Sequence, residues 1–179
     1  MISTSHIIQD APVSHGMTLF FSTYDSPVGT LTLVAGETGL RAVVWPGRDW
    51  RHVGLAGVSA EPGRSRVLDR AALELDEYLA GDRTTFDVPL ELEGTDFQLA
   101  AWRALGDIPY GETRSYSEQA ARIGRPSAVR AVGAANGRNP VSIVLPCHRV
   151  VGSNGALRGF GGGLDVKEWL LEHESAARA

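Results

Sequence analysis

The chain has 179 residues, a net charge of −4, 43% hydrophobic residues and 21% charged residues, a composition typical of soluble globular proteins with one or two domains. A single cysteine excludes an internal disulfide framework and a multi-cysteine zinc site, and we expect neither a metal nor a cofactor. The polar N-terminus lacks the pattern of a signal peptide, and no apolar run reaches membrane-span length, which indicates a cytoplasmic protein without a membrane partner.

Charge is distributed unevenly along the chain. Residues 1–94 carry 7 Lys and Arg against 13 Asp and Glu, a charge of −6, whereas residues 95–179 carry 10 against 8, a charge of +2. Most of the positive charge lies in residues 101–160, with 8 basic and 3 acidic side chains. This asymmetry is typical of an acidic scaffold joined to a segment that binds an anion, although a solvated basic surface would give the same counts.

The first half has the pattern of a small α/β unit. Residues 17–24, 30–35 and 40–45 are rich in β-branched and aromatic side chains, which predicts three strands, with a hairpin turn over residues 36–39. We further predict a loop over residues 48–63, a helix over residues 65–80 that ends at Gly81, and an edge strand over residues 85–92. A boundary within residues 91–95 would divide the chain into domains of residues 1–92 and 93–179.

The second half is predicted to be mainly helical. Thr95 and Gln98 have the spacing of a capping box, which predicts the start of a helix. Residues 115–123 and 127–135 then predict two short helices, joined by a glycine-bearing turn over residues 124–126. This succession is the helix-turn-helix pattern, which many helical hairpins share.

The second of these short helices carries mostly small side chains. Arg130 is its single long polar residue, and its other members include Ala128 and Gly133. A helix that reads the major groove of DNA usually presents several long polar side chains. A helix with small side chains would instead fit a narrow groove or pack tightly against the core, and the residues do not decide between these two interpretations.

The only cysteine, Cys147, follows an apolar run over residues 141–145 that should be buried. Pro146 stiffens the backbone before it, and His148 and Arg149 come directly after it. A lone cysteine in such a run is usually a small buried apolar residue. The basic neighbours favour a reactive thiol instead, because they would lower its pKa.

The segment after Cys147 predicts a wing and a final helix. Asn-Gly at residues 154–155 lies between two short apolar segments, which predicts a β-hairpin. Glycines surround Phe160, so that backbone there can approach a ligand closely. Asp165 and Glu168 resemble a capping box for a last helix that ends near Glu174.

Together these motifs resemble those of the O6-alkylguanine-DNA alkyltransferases, also called methylated-DNA–protein-cysteine methyltransferases. The resemblance covers residues 95–174 densely, whereas the first half is similar only in size and in its strands and helix. It implies a ribonuclease-H-like α/β N-terminal domain followed by a C-terminal winged helix-turn-helix domain. The motifs are Pro-Cys-His-Arg-Val at residues 146–150, Ile-Pro-Tyr-Gly-Glu at 108–112, Arg-Ala-Val-Gly at 130–133, Asn-Pro at 139–140 and the glycines after Phe160.

The resemblance implies a DNA repair protein that moves the alkyl group of O6-alkylguanine, and of O4-alkylthymine, in duplex DNA irreversibly onto its own cysteine. By position, Cys147 corresponds to the acceptor, and His148 to the histidine that deprotonates it through a water. Glu174 corresponds to the acid that orients this histidine. The other matching positions are Asn139, which ties the active-site turn together, Tyr116 beside the flipped nucleotide, and Val150, Phe160, Gly161 and Lys167 around the substrate pocket.

The same resemblance implies that the helix-turn-helix binds duplex DNA through the minor groove, which accounts for its small side chains. Arg130 corresponds to the arginine that enters the duplex in place of the flipped nucleotide; without the resemblance it would be interpreted as a phosphate contact. Ala128, Gly133 and Ser153 are the other predicted DNA contacts. We expect a monomer in solution, and leave open whether copies bind DNA cooperatively.

Two departures from the family pattern are visible. Phe160 stands where many members carry tyrosine, so that any hydrogen bond from that hydroxyl is lost. Some members bind zinc through cysteines of the N-terminal domain, which this chain lacks.

The chemistry required of these residues is a displacement at saturated carbon with guanine as the leaving group. It needs a thiolate, because a thiol with a pKa of about 8.5 is mostly protonated at neutral pH. Neighbours on a strand point to opposite faces, so we expect a water, rather than a direct bond, between Cys147 and His148. Tyr116 is a candidate donor to the leaving guanine, although a surface tyrosine at a helix start is the simpler interpretation without the family.

Two other functions are compatible with the sequence. A cysteine hydrolase using Cys147 and His148 would turn over, whereas the alkyltransferase acts once. A non-catalytic winged-helix protein would bind alkylated DNA and recruit repair factors, although such relatives lack the acceptor cysteine that this chain retains.

Overall fold

In the computed structural model, which describes residues 18–176, an N-terminal sheet with one helix and a group of C-terminal helices share an apolar core. The polar N-terminal extension, residues 1–16, lies outside the described residues. Within residues 18–176, no helix combines the length and the apolar character that crossing a membrane requires. The elements are β1 (Leu19–Ser26), β2 (Gly29–Ala35), β3 (Leu40–Val44), a 3-10 helix (Trp50–Val53), β4 (Ala60–Pro62), α1 (Arg66–Ala80), α2 (Asp96–Leu105), β5 (Arg114–Ser115), α3 (Tyr116–Arg122), α4 (Val129–Asn136), a 3-10 turn (Cys147–Arg149), β6 (Val150–Val151) and α5 (Leu164–Ala176).

The N-terminal sheet has the strand order β3-β2-β1-β4. The first three strands are antiparallel neighbours, and β4 joins β1 in parallel. Helix α1 packs on this sheet and has the predicted ends. The Ser65 hydroxyl accepts a hydrogen bond from the Leu68 amide at 3.2 Å, and Gly81 terminates the helix with a φ of 84°.

Two predictions for the first half are wrong. Residues 48–63 are not wholly a loop, because they contain the 3-10 helix and β4. Residues 85–92 do not form a strand, and their backbone pairs with β3 at an isolated bridge between Leu40 and Leu90. Two of their amides have another acceptor: the buried carboxylate of Glu74 accepts hydrogen bonds from the backbone of Asp87 at 2.8 Å and of Val88 at 2.9 Å. The Glu91 amide donates to the Leu40 carbonyl at 3.0 Å.

The C-terminal helices confirm the capping box and the helix-turn-helix. The Thr95 hydroxyl and the Gln98 side chain each bond the other residue's backbone amide at the start of α2. Gly124, with a φ of 69°, turns the chain between α3 and α4. A buried amide pair joins these two helices: the side chains of Gln119 and Asn136 exchange hydrogen bonds of 3.1 and 2.7 Å.

The predicted wing hairpin and the last capping box are not formed. Gly155 makes the turn, and the Gly152 amide donates to the Ala156 carbonyl at 2.8 Å, but no strand follows. Strand β6 pairs instead in parallel with β5. Helix α5 begins at Leu164, so that Asp165 lies in its first turn rather than before it.

The segment that leads to Cys147 docks on the outer edge of β3. The Val43 amide donates to the Pro140 carbonyl at 2.8 Å, and Val43 forms a bridge with Val141. The cysteine-bearing segment is therefore held against the N-terminal sheet, at the junction of the two halves.

Candidate active site

Cys147 opens the 3-10 turn directly after Pro146, so that the segment is not the strand assumed from the sequence. Residues 141–145, which precede it, are buried as predicted. The cysteine itself is only 6% exposed. The hydroxyl of Ser142, which the sequence did not single out, lies 4.0 Å from the Cys147 sulfur.

The turn before Cys147 is strained, and Asn139 holds it together. Ile143 is β-branched yet has a φ of 75°, a conformation that costs about 1–3 kcal/mol. Asn139 Nδ2 donates to the Leu145 carbonyl at 2.8 Å, and its Oδ1 accepts from the Val141 amide at 3.1 Å. One amide side chain thus connects both ends of the turn.

Burial raises the pKa of the Cys147 thiol above its ordinary value, while two neighbouring hydrogen-bonding side chains and the positive charge of Lys167 act in the opposite direction. The predicted lowering by the flanking basic residues is therefore wrong for the free protein. Those residues direct their nitrogens to Glu174 instead. The thiol consequently needs a base to become a nucleophile.

Glu174 is the centre of a buried hydrogen-bond network. His148 Nε2 lies 2.7 Å from its Oε1, and the Tyr78 hydroxyl donates to the same oxygen at 2.7 Å. Arg149 donates to both carboxylate oxygens at 2.9 Å, and the Gly111 amide donates at 3.0 Å. Burial alone would raise the pKa of Glu174, but the hydrogen bonds and charges of His148 and Arg149 hold it below its usual range.

His148 is placed to act as a neutral base. Burial lowers its pKa, so that the imidazole is uncharged at neutral pH. The ionised carboxylate of Glu174 can only accept, so Nε2 carries the proton and Nδ1 has a free lone pair. Within the described part of the chain, Nδ1 is buried and has no hydrogen-bond partner. This nitrogen is therefore available to take a proton.

Arg149 and Tyr78 both donate to the Glu174 carboxylate, a role that the sequence analysis assigned to neither residue. Arg149 also donates to the Ile108 carbonyl at 2.6 Å, and its guanidinium lies 5.6 Å from the centre of the Tyr110 ring. For Arg149, the sequence offered one indication of a special role: two polar residues directly follow Cys147. Tyr78 had none, because its contact with Glu174 joins residues 96 positions apart.

Near the thiol, Lys167 contacts both Val150 and Tyr116. Its ammonium group is buried and donates to the carbonyls of Val150 at 2.6 Å and Arg158 at 2.8 Å. It also lies 5.9 Å from the centre of the Tyr116 ring. Burial lowers the pKa of Lys167 and raises the pKa of Tyr116, which stays a hydrogen-bond donor at neutral pH.

A cleft of about 520 Å³ opens between the helix-turn-helix and the end of β3. Ser142 lines it, so the cleft reaches the surroundings of the Cys147 sulfur. Ala128 and Ser153, two of the predicted DNA contacts, do not line the cleft. The predicted site residues that do line it are Tyr116, Arg130, Gly133, Asn139, Phe160 and Gly161, and the first half contributes Trp45, Arg48, His52 and Val53.

Two family models match this chain. The model for the 6-O-methylguanine DNA methyltransferase ribonuclease-like domain matches residues 19–92, and the model for the DNA binding domain of the same proteins matches residues 96–176. The chain belongs to the 6-O-methylguanine DNA methyltransferase family. This result confirms the resemblance and the predicted mixed α/β fold with a C-terminal DNA-binding unit.

Similar members of the family match nearly the whole chain. The methylated-DNA–protein-cysteine methyltransferase of Methanosarcina acetivorans is 45% identical over 159 residues, which are 88% of this chain and 99% of that protein. The protein of the same name from Mycolicibacterium paratuberculosis is 46% identical, over 86% of this chain and 91% of the relative. The crystal structure of Mycobacterium tuberculosis OGT in complex with DNA matches with a TM-score of 0.81 at 46% identity, covering 88% of this chain and 94% of that one.

Proposed function

We propose that this protein repairs DNA by transferring the alkyl group of O6-alkylguanine, and of O4-alkylthymine, to the sulfur of Cys147. The observation that carries the proposal is the position of the chain's single cysteine. Cys147 is buried beside a neutral histidine with a free Nδ1, next to a cleft that the helix-turn-helix lines. A family whose named members methylate a protein cysteine from DNA supports the same assignment.

The first step is loss of the thiol proton. His148 Nδ1 accepts it through a bridging water, and Glu174 stabilises the imidazolium that forms, as in other nucleophile–histidine–acid sets. The positive charge of Lys167 favours the thiolate once it exists. Arg149 keeps Glu174 ionised throughout, because its charge lowers the pKa of that carboxyl.

The second step is displacement at the alkyl carbon. The sulfur–carbon bond of a thioether forms as the carbon–O6 bond breaks, and the electron pair of that bond leaves with the guanine. The Tyr116 hydroxyl, whose raised pKa keeps it protonated, donates to the departing base. A thioether is not hydrolysed under these conditions, so each molecule acts once.

The alkylated nucleotide must leave the base stack to reach Cys147, at a cost of about a few kcal/mol. Arg130 projects from α4 at the rim of the cleft and fills the space that the nucleotide vacates. Gly133 allows α4 to approach the duplex closely, because it adds no side chain at the cleft surface. Ala128 and Ser153 contact the DNA outside the cleft.

We also propose how the chain is organised. Residues 1–92 form a support domain and residues 93–179 carry DNA binding and alkyl transfer. The protein acts as a monomer on duplex DNA in the cytoplasm, where a free thiol stays reduced.

Intact mass spectrometry tests this function directly. Incubation with an equimolar duplex that contains one O6-methylguanine should add the mass of one methylene group to the protein, and the unmethylated duplex should add nothing. Cys147→Ala should bind the duplex and gain no mass. Unmodified protein after complete demethylation, or more than one methyl removed per molecule, would identify a hydrolase instead.

A further inference from the structure

Tyr78 brings the N-terminal half of the chain into contact with the hydrogen-bond network of the proposed base. It lies in the last turn of α1, and its side chain is completely buried. Its hydroxyl donates to Glu174 Oε1 at 2.7 Å, across 96 positions of sequence. The same oxygen lies 2.7 Å from His148 Nε2. One carboxylate oxygen therefore accepts hydrogen bonds from the first half of the chain and from the proposed base.

Arg149 does not by itself fix the position of the Glu174 carboxylate. Its Nε lies 2.9 Å from Oε2 and 3.2 Å from Oε1, and its Nη2 lies 2.9 Å from Oε1. Because these donors can serve either oxygen, the carboxylate can slide along the guanidinium without losing its partner. Tyr78 donates to Oε1 and the Gly111 amide donates to Oε2 at 3.0 Å, so that each oxygen has a second donor at a defined place.

Tyr78 is itself held in place by α5 and by the segment after α1. The His173 Nε2 atom lies 2.8 Å from the Tyr78 carbonyl oxygen and donates to it, since a carbonyl can only accept. The two ring centres are 5.5 Å apart at an interplanar angle of 63°, and Trp169 stacks on the other ring of this pair at 5.1 Å and 3°. The ring of Phe86 lies 5.4 Å from that of Tyr78. Both the backbone and the ring of Tyr78 are therefore fixed, and with them the origin of its bond to Glu174.

The Tyr78 hydroxyl remains a donor at neutral pH. Burial raises its pKa, and the negative charge of Glu174 acts in the same direction, against the positive charge of Arg149. A neutral phenol also holds the carboxylate without placing a second positive charge beside His148, as a lysine or an arginine at this position would. Its bond is therefore suited to fixing an ionised carboxylate next to a neutral imidazole.

We propose that Tyr78 is a positioning residue for alkyl transfer: its hydroxyl fixes the Glu174 oxygen that orients the His148 imidazole, and through this bond the N-terminal half of the chain takes part in the chemical step. The inference rests on the proposed alkyl transfer. His148 can take the thiol proton only in one orientation of its ring, and the bond at Nε2 maintains that orientation. A carboxylate that moves would allow the ring to leave it for part of the time.

Tyr78→Phe tests this role, because it removes the hydroxyl and keeps the buried ring. With a saturating duplex that contains O6-methylguanine, the single-turnover rate constant at neutral pH should fall by about three- to tenfold, as expected for one lost hydrogen bond. Because the change lies away from the cleft surface, the affinity for the duplex should change by less than about twofold.

Hydrogen exchange of the His148 Nε2 proton is the second measurement, and a role in overall stability alone would not change it selectively. NMR spectroscopy of the free protein follows this proton, which is identified as the signal that His148→Gln lacks. In Tyr78→Phe it should exchange with water about three- to tenfold faster, because the bond between His148 and Glu174 opens more often. The backbone amides of α3 should exchange as in the wild-type protein.

Tyr24→Phe is the matched control. Tyr24 also belongs to the first half, is buried, and donates to a carboxylate at 2.7 Å, but its acceptor is Asp76 Oδ1 rather than Glu174. The two variants thus lose the same group and a bond of the same length. In Tyr24→Phe the rate constant and the exchange rate should both stay within about twofold of the wild-type values.

Unchanged values in Tyr78→Phe, or a change in only one of the two measurements, would overturn the positioning role of Tyr78. The same losses in Tyr24→Phe would do so as well. Failure of the proposed function is a different result, in which the unsubstituted protein takes no methyl group from the duplex while the exchange of the His148 proton can still be measured.

Discussion

His148 Nε2 lies 2.7 Å from Glu174 Oε1, and both side chains are completely buried. The same carboxylate accepts from Tyr78 in α1 and from Arg149 beside the cysteine. One residue of α5 therefore connects the proposed base to the N-terminal helix. Removing one partner from a buried charged network is costly, so we expect catalysis and stability to fail together here.

Glu174→Gln should destabilise the protein by about 3–5 kcal/mol at neutral pH, because it leaves the Arg149 charge without its partner. The folded-state pKa of Glu174 is lowered, so its contribution to stability is present above the unfolded pKa of about 4.3 and is lost as pH falls below it. The difference in the free energy of unfolding between the two proteins should therefore shrink from about pH 5 downward.

Urea denaturation at a series of pH values measures this difference. Glu172→Gln, an exposed change two residues earlier in α5, is the control and should alter the stability by less than about 0.5 kcal/mol. A difference between wild type and Glu174→Gln that stays constant down to about pH 3 would show that the partners of Glu174 do not lower its pKa in the folded protein.

Lys167→Met should raise the pKa of the Cys147 thiol, because the positive charge of Lys167 lowers it in the native protein. At a fixed pH the thiolate fraction, and with it the rate of alkyl transfer, should fall. The change also leaves the Val150 and Arg158 carbonyls without their donor, which should cost about 1–3 kcal/mol of stability.

Thiolate absorbance across a pH titration, with Cys147→Ser as the blank, measures the thiol pKa directly. A thiol that titrates at the same pH in Lys167→Met and in the wild-type protein would mean that the ammonium group does not act on the sulfur.

Sequence patterns correctly predicted the elements that are stabilised by contacts between residues close together in the chain. Ser65 and Gly81 bound α1 because a cap bonds within one turn of its own helix. The failures came where a distant group supplied the partner. Glu74 accepts hydrogen bonds from the amides of Asp87 and Val88, two of those that a strand over residues 85–92 would have used. Strand β5 pairs with the strand expected to form the hairpin.

The same distinction separates the site residues. The family motif places Cys147 and His148 next to each other in sequence, and the motif is readable without a fold. Tyr78, Trp45 and Ser142 reach the site only because α1, the end of β3 and a strained turn converge there. Whether a buried thiol gains or loses acidity likewise depends on three-dimensional surroundings, which is why the predicted lowering of its pKa was wrong.

Arg130→Ala should slow transfer from a methylated duplex by about tenfold or more, because the vacated base stack would no longer be filled. Reaction with the free base O6-benzylguanine needs no extrusion and should change by less than about twofold. Arg122→Ala removes the same charge from α3, where Arg122 pairs with Asp107 at 3.1 Å and does not line the cleft. It should affect both substrates alike, and an equal loss on both substrates for Arg130→Ala would remove its role in extrusion.

Gly162→Ala should destabilise the protein, because a Cβ at this position would lie 2.8 Å from Trp45 Cε3, closer than carbon atoms pack. Displacing a buried indole or its backbone neighbour should cost about 1–3 kcal/mol. Gly159→Ala is the matched control, since a Cβ there meets no atom within 4 Å, and it should change stability by less than about 0.5 kcal/mol. Thermal unfolding of both variants measures the difference: equal melting temperatures would mean that Trp45 does not pack tightly against residues 160–162.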